Sequence, residues 1–332
     1  MIPHWGGARI PSRRIPLVPR SQQPQGASVL TNAYERSPVD CLEVKRVVAK
    51  ATSFPPELVD IIMDFAEYWA CSVSSIDYTQ LRARRHTITG GRPSEDEMLL
   101  RTPPLGLTKW RPSSEELWRS QAAPRPLQEE YSQSRLKDFA TGPKDTLEHP
   151  ARRIVFDITS HDQGHGGVPE DRYTYHHSFT WFDAGLDRFD MKNECPQDCK
   201  DREDSESAGT PSDTPSDIPT CAIRPVWPPL KENAAGYHHE LYSPADRVIQ
   251  RNKLADGAWQ HHHVEWSWSD DIDPESTAGQ ELDDAGRGTA TGNGEFVRNL
   301  KLGDMITIWG RARFGAWANH IEALKVQVYW AV

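Results

Sequence analysis

The stretch that decides the expected fold is Arg153-Ile154-Val155-Phe156-Asp157-Ile158-Thr159. Within it Ile154, Phe156 and Ile158 recur at every second position, a period typical of a strand with one buried face. A polar, glycine-rich loop follows at residues 160–167, and an aromatic alternation resumes over residues 173–182. Two strands on either side of a polar loop predict a β scaffold that presents a site.

The same alternation continues toward the last residue. Further strands are predicted at residues 247–252, 260–268, 295–300, 305–312 and 324–332. Short strands with turn-rich connections and no alternating helices favour antiparallel sheets. We therefore predict a mainly β chain with an antiparallel, jelly-roll-like β-sandwich domain over residues 151–332.

Composition divides the rest of the chain. Residues 1–52, rich in Pro, Ser, Gln and Arg, predict a disordered tail with a brief helix at 42–51. Residues 72–150 are polar and carry eight prolines, which favours a linker or an arm that wraps the domain. An acidic insertion rich in Ser, Thr and Pro at 191–220 predicts a disordered interruption of the sandwich.

Residues 53–71 predict one amphipathic helix. It opens with Phe54-Pro55-Pro56-Glu57, where proline suits the first turn and an acid suits the positive end of the helix dipole. Its apolar residues recur at helical spacing. They are Leu58, Ile61, Ile62, Phe65 and Trp69. This stripe needs a partner, which is either the β domain or another protein.

The opening of this helix resembles the start of an F-box. The matching residues are Phe54, Pro56, Glu57, Leu58, Ile61 and Ile62. The resemblance ends after the helix, because residues 72–85 turn polar and basic where an F-box continues with further short helices. It implies a substrate adaptor of a ubiquitin ligase, and a helix packed on its own domain is the alternative.

A second resemblance covers residues 54–70 and most of 152–332. It is carried by the runs 158–167, 178–182, 294–298 and 303–304, by the stretch from Trp309 to His320, and by the ending Val328-Tyr329-Trp330-Ala331-Val332. These runs resemble a family of uncharacterised fungal proteins. That family usually has Trp after Asp-Gln-Gly, where this chain has His165. The resemblance implies no assigned activity.

Charge and cysteine usage narrow the function classes. A formal net charge of -10 disfavours general nucleic-acid binding, which needs a basic surface. Five scattered cysteines are not a disulfide framework, and no apolar run has the length of a membrane span. We expect a protein of the reducing cytoplasm or nucleus that binds neither nucleic acid nor membranes.

The candidate contact residues fall in two groups. The 160–167 loop offers an imidazole, a carboxylate and an amide, and a group near a strand end combines arginine with tryptophan. The residues are His161, Asp162, Gln163, His165, Arg311, Arg313, Trp317 and Asn319. They favour recognition of a protein or carbohydrate ligand; a structural turn and packing within the domain are the alternatives.

A metal site is the remaining hypothesis. Alternation places His261, His263 and Glu265 on one face of a strand, and imidazole suits Zn, Cu, Fe or Ni. Such a site would make the chain a metal-dependent enzyme. The glycine-rich run 286–294 lacks the Gly-Lys-Ser/Thr ending of a phosphate loop, and no nucleophile elbow or zinc-protease motif occurs. We therefore predict a non-enzymatic, soluble binding protein with no cofactor.

Overall fold

Two antiparallel sheets form the body of the protein in the computed structural model, which describes residues 33–81, 85–112, 115–142, 147–192, 218–233 and 235–332. The strands are β1 (Ala33–Arg36), β2 (Ala70–Asp77), β3 (His86–Thr89), β4 (Asp96–Arg101), β5 (Ala151–His161), β6 (Thr180–Phe189), β7 (Ile223–Trp227), β8 (Val248–Arg251), β9 (Gln260–Ser267), β10 (Met305–Ala312) and β11 (Ala318–Trp330). The predicted mainly β, antiparallel fold is confirmed.

The two sheets share one apolar core. Sheet A runs β1-β2-β11-β5-β9, with β3 also paired to β11, and sheet B runs β4-β10-β6-β7, with β8 also paired to β6. The alternating residues of β5 point inward, and Ile154, Phe156 and Ile158 belong to the same buried cluster as Ile306 and Ile308 of β10. A period of two on facing sheets is what lets both bury one side.

The helices are short and lie outside the sheets. They are α1 (Pro38–Thr52), α2 (Pro56–Phe65), α3 (Tyr78–Leu81), α4 (Gln133–Leu136), α5 (Thr277–Asp284) and α6 (Glu295–Arg298). The strand predicted at 295–300 is wrong, since α6 occupies it. The Asn293 side chain accepts a hydrogen bond from the backbone N–H of Glu295, and Gly294 has a φ of 72°, so the chain turns there into a helix.

The strand predicted over residues 173–182 begins only at Thr180. Tyr173 has a φ of 65° and His177 a φ of 53°, and neither value fits an extended strand. The Thr174 hydroxyl also donates to the carbonyl of Asp171. The alternation of aromatic residues here therefore belongs to a turn-rich loop.

The described parts of residues 70–101 belong to the sandwich rather than to a linker. β2 pairs with β11 from Ala70 to Asp77, and β3 and β4 add to sheets A and B. Beyond β4 the chain lies across the outer side of sheet B, where a second apolar cluster joins it to Phe189 and Met305. Its members from this arm are Leu107, Trp110, Trp118, Ala122, Leu136 and Phe139.

The predicted disordered tail is structured from residue 33 onward, as β1 and α1. Ser37 caps α1 and exchanges hydrogen bonds with Asp40, a capping box, which explains why the helix starts before residue 42. The remainder of that tail, and residues 193–217 of the predicted acidic insertion, lie outside the described residues. In the described ranges, no helix has the length and apolar character that crossing a bilayer demands.

Candidate binding surfaces

The helix α2 presents an apolar stripe to solvent. It packs inward through Val59 and Met63, which are 1% and 9% exposed. On its other side lie three apolar residues that, with Phe54 just ahead of the helix, we call the helical surface. They are Phe54, Leu58, Ile61 and Phe65, with exposed fractions of 46%, 45%, 49% and 88%. Most of the predicted stripe therefore faces away from the sandwich.

Ion pairs along its inner edge hold α2 in this orientation. The Arg152 guanidinium donates to both carboxylate oxygens of Asp64, at 3.0 and 3.2 Å. Lys45 of α1 lies 2.5 Å from Asp60. Trp69, which the sequence placed on the stripe, is buried beyond the end of the helix and donates to Asp64 at 2.8 Å. A cavity of about 100 Å³, lined by both apolar and charged side chains, lies behind the helix, so the inner contact is incompletely packed.

The 160–167 loop is a braced turn. The buried Asp162 carboxylate accepts hydrogen bonds from the backbone N–H groups of Gly164, at 2.7 Å, and Ala255, at 2.5 Å. Burial raises the pKa of Asp162, and these N–H groups oppose that rise. The Gln163 amide donates to the carbonyl of His165 at 2.7 Å. Asp162 thus holds the turn, whereas His165 is exposed to solvent.

The two predicted arginines lie in a buried ion-pair network. Arg311 donates to Asp183 and to Asp96, both at 2.7 Å. Arg313 contacts the same Asp96 at 2.7 Å and donates to the carbonyl of Glu240 at 2.9 Å. Both guanidiniums are almost fully buried, so they brace the fold and cannot reach a ligand on the surface.

Asn319 is also internal. Its side-chain amide donates to the carbonyls of Trp181 and Arg311, each at 3.2 Å, and its oxygen accepts from the amide of Asn252 at 3.0 Å. These bonds join β11 to β6, β10 and the segment after β8. A buried amide with its hydrogen bonds satisfied in this way is a structural element.

An aromatic cluster at this end of the sandwich does reach solvent. We call it the aromatic rim, and it comprises Phe179, Tyr242, Phe314 and Trp317. The ring of Phe179 meets those of Phe314 and Trp317 edge-to-face, with centroids 4.8 and 4.9 Å apart. Tyr242 and Phe314 are 58% and 43% exposed. Phe314 has a φ of 64°, a costly backbone angle for a bulky residue that turns its side chain outward.

The predicted contact residues therefore share one end of the sandwich but divide into two kinds. The side-chain oxygen of Gln163 accepts from the backbone N–H of Ala318, which joins the loop to the start of β11. His161, His165, Gln163 and Trp317 are at least partly exposed; Asp162, Arg311, Arg313 and Asn319 are buried. Phe314 belongs to the aromatic and basic group that the sequence indicates near Trp317. Sequence reasoning missed Phe179 and Tyr242 as contact residues.

The proposed metal triad has a different set of partners. His261, His263 and Glu265 share the outer face of sheet A, as alternation predicted, but Glu265 is paired with Arg153 at 2.9 Å. The carboxylate near the histidines is Asp157, 2.7 Å from His263 Nδ1 and 3.6 Å from His261 Nε2.

A different trio has ligand atoms all within 4.8 Å of one another in the described part of the chain. It consists of His176, Asp283 and Asp284. Asp283 already pairs with Arg251 at 2.7 Å. A cation there would compete with the guanidinium of Arg251. We therefore interpret these residues as an exposed ion-pair cluster.

His262 points inward from β9, the strand that carries His261 and His263. It is 7% exposed and lies edge-on to Tyr175, with ring centroids 6.1 Å apart. Its Nε2 has no hydrogen-bond partner within the described residues. Burial, with smaller effects from Lys253 and His261, lowers the pKa of His262 to about 4. The imidazole is therefore neutral in the folded protein at neutral pH.

We expect His262 to make the protein less stable as the pH falls from about 6.5 toward about 4. The unfolded chain takes up a proton near pH 6.5, before the folded chain does, so acid favours unfolding. Between pH 7.5 and 5.5 this costs about 1 kcal/mol. Urea unfolding at both pH values measures it. A His262→Gln variant should lose that part of the pH dependence, and an unchanged dependence would refute the assignment.

Comparison with known proteins does not identify what these surfaces bind. Neither a protein-family model, nor a curated protein, nor a solved structure matches this chain. The fold and the surfaces define a β-sandwich protein with an exposed helical face, and its function has to be argued from its own residues.

Proposed function

We propose that this chain is a non-enzymatic binding protein that works as an adaptor. The helical surface docks on one partner protein, and the loop end of the sandwich recognises a second ligand, a protein or a carbohydrate. The observation that carries the proposal is the orientation of α2, whose apolar stripe faces solvent while Val59 and Met63 hold the helix on the sandwich.

The energetics of the helical surface favour a partner. Burying an exposed large apolar side chain contributes about 1.5–3 kcal/mol. Leu58, Ile61 and Phe65 follow one another at i, i+3 and i+7, the spacing by which an amphipathic helix fills a groove on another protein. Clusters of exposed apolar side chains rimmed by polar residues mark sites of protein–protein interaction. A groove that receives these three side chains supplies the missing half of the contact.

The partner that the resemblance points to is the scaffold subunit of a ubiquitin ligase. Phe54, Leu58 and Ile61 belong to the residues that match an F-box opening, and all three project into solvent, where a partner reaches them. In this proposal α2 recruits the ligase in the cytoplasm or nucleus, and the sandwich holds the protein to be modified.

Binding of the full-length chain to the purified scaffold subunit tests the proposal. The double substitution Ile61→Asp and Phe65→Asp should weaken binding by about 1,000-fold, because central apolar anchors each contribute about 2 kcal/mol or more and about 1.4 kcal/mol is a factor of ten. Val47→Asp is the matched control, since Val47 is 54% exposed on α1 and lies outside the helical surface. All variants should unfold at the urea concentration of the wild type.

Two results would overturn the adaptor proposal. One is the absence of binding between the wild-type chain and the scaffold subunit. The other is binding that survives the double substitution. A sandwich ligand is tested separately with the pair Tyr242→Ser and Phe314→Ser, which removes the exposed part of the aromatic rim and leaves α2 intact.

A further inference from the structure

The helical surface is flanked by negative charge. Residues 54–69 contain no Lys or Arg but four acids, which are Glu57, Asp60, Asp64 and Glu67. Basic residues of other elements pair with the last three of them. Glu57 has no ion-pair partner within the described residues. It is exposed and precedes Ile61 by about one helical turn, so its charge lies beside the apolar stripe. A complementary ligand combines apolar side chains with positive charge.

One segment of the chain itself has this composition. Residues 1–32 carry four arginines and no acid, although the whole chain has ten more acids than bases. All four arginines lie in residues 9–20, which we call the basic segment and which lie outside the described residues. Its apolar residues are Ile10, Ile15, Leu17 and Val18. The basic segment therefore supplies both kinds of contact that the helical surface offers.

The described chain starts within reach of α2. Arg36, the last residue of β1, donates to the carbonyls of Glu67 and Trp69, just beyond the end of α2, at 3.1 and 3.2 Å. Ala33 lies about 10 Å back along β1. The helix itself is about 15 Å long. The chain from Arg20 to Ala33 spans at most about 45 Å at full extension, so the basic segment can lie along all of α2.

We propose that the basic segment docks on the helical surface of its own chain and competes there with the partner protein. Its apolar residues cover Leu58, Ile61 and Phe65, and its arginines face Glu57. This regulation rests on the proposed function, because a covered surface controls binding only if a partner docks there. The acidic run 265–284 fits the basic segment less well. None of the large apolar side chains that are exposed in the described part of the chain lies in that run.

The tether makes a weak contact sufficient. A short tether holds two binding sites together at an effective concentration on the order of 1 mM. A segment that binds with a dissociation constant of about 0.1 mM then covers the surface for about nine tenths of the time. The apparent affinity for an external partner falls with the uncovered fraction, which is a decrease of about tenfold.

Hydroxyl-radical footprinting of the full-length chain tests the covering without any partner. The charge reversal Arg13→Glu with Arg14→Glu should release the helical surface. The rate at which Phe65 is oxidised should then rise by about tenfold, because the uncovered fraction rises by that factor. Tyr242 on the aromatic rim is the internal reference, and its rate should stay the same.

A charge swap tests whether the contact is specific. Glu57→Arg alone should also expose Phe65, and Glu57→Arg combined with the charge reversal should restore its protection, since opposite charges then face each other again. The matched control is Arg46→Glu with Lys109→Glu, which reverses two exposed charges outside the basic segment and should leave the rate of Phe65 unchanged. All of these variants should keep the wild-type urea midpoint.

Binding of the scaffold subunit separates this inference from the adaptor proposal. If the subunit binds, the charge reversal should raise its affinity by about tenfold. Equal oxidation of Phe65 in the wild type and the charge reversal would overturn the basic segment as the occupant, whatever the subunit does. Protection that grows with protein concentration would overturn it too, because a second copy would then cover the surface. Protection that the reversal removes, in a chain that does not bind the subunit, would uphold the covering and overturn only the adaptor proposal.

Discussion

Replacing Arg311 by methionine should lower the free energy of unfolding by about 3–5 kcal/mol, the usual cost of removing one member of a buried ion pair. Arg311 is 2% exposed and lies 2.7 Å from both Asp183 and Asp96. Burial already raises the pKa of Asp183, and the guanidinium opposes that rise. Without Arg311, the Asp183 carboxylate keeps its hydrogen bonds from Ser243 and Trp181 but loses its nearest cation.

The matched control is Arg251→Met. Arg251 pairs with Asp283 at the same distance of 2.7 Å, but both side chains are about 30% exposed. Water screens such a pair, so its loss should cost no more than about 1 kcal/mol. Urea unfolding of the two variants beside the wild type measures the difference. Equal losses would show that the Arg311 network is hydrated and contributes no more than a surface pair.

Replacing Arg311 by methionine should also destabilise the loop end of the sandwich. His239 Nδ1 lies 2.6 Å from Arg311, and burial together with the arginine lowers the pKa of His239 to about 3. The hydroxyl of Ser243 donates to Asp183 at 2.6 Å. Arg311 thereby helps to hold the segment that carries Tyr242, and the aromatic rim depends on a buried charge network.

Alternation was enough to predict the sandwich because it is a local property of each strand. The strand predicted at 305–312 coincides with β10, and the strand predicted at 260–268 matches β9 to within one residue. The end of β11 lies within two residues of the predicted end, but the strand starts six residues earlier than predicted. β2 escaped prediction because Ser72, Ser74 and Ser75 hide its period. Its place is set by backbone pairing with β11, a partner more than 240 residues away.

The candidate contacts were less predictable, because burial at the end of a strand depends on loops from elsewhere in the chain. In the sequence, Arg311 and Arg313 have the character of surface residues. They are buried because Asp96, Asp183 and residues 239–243 pack over them in the fold. The orientation of α2 was open for a related reason. Val59 and Met63 give the helix a second apolar side, so periodicity alone does not determine which side docks.

The last prediction tests whether alternation identifies the buried face of β9. Trp266→Ala should lower the free energy of unfolding by about 3–5 kcal/mol, since it removes a large side chain from a packed core and leaves a cavity. Trp266 is 1% exposed and meets the rings of Phe156 and Phe296 edge-to-face, at 5.0 and 5.1 Å. These ring contacts connect β9 to β5 and to α6.

Two variants on the same strand make this test specific. Trp266→Phe keeps a ring in the core and gives up no hydrogen bond within the described residues, since Trp266 Nε1 has no partner there, so it should cost clearly less than Trp266→Ala. His263→Ala removes a side chain that is 60% exposed and should change stability by no more than about 0.5 kcal/mol. Urea midpoints of the three variants measure the order. If His263→Ala proved as costly as Trp266→Ala, the face of β9 assigned to the core would be the wrong one. The outer position of His261 and His263 would then be wrong as well.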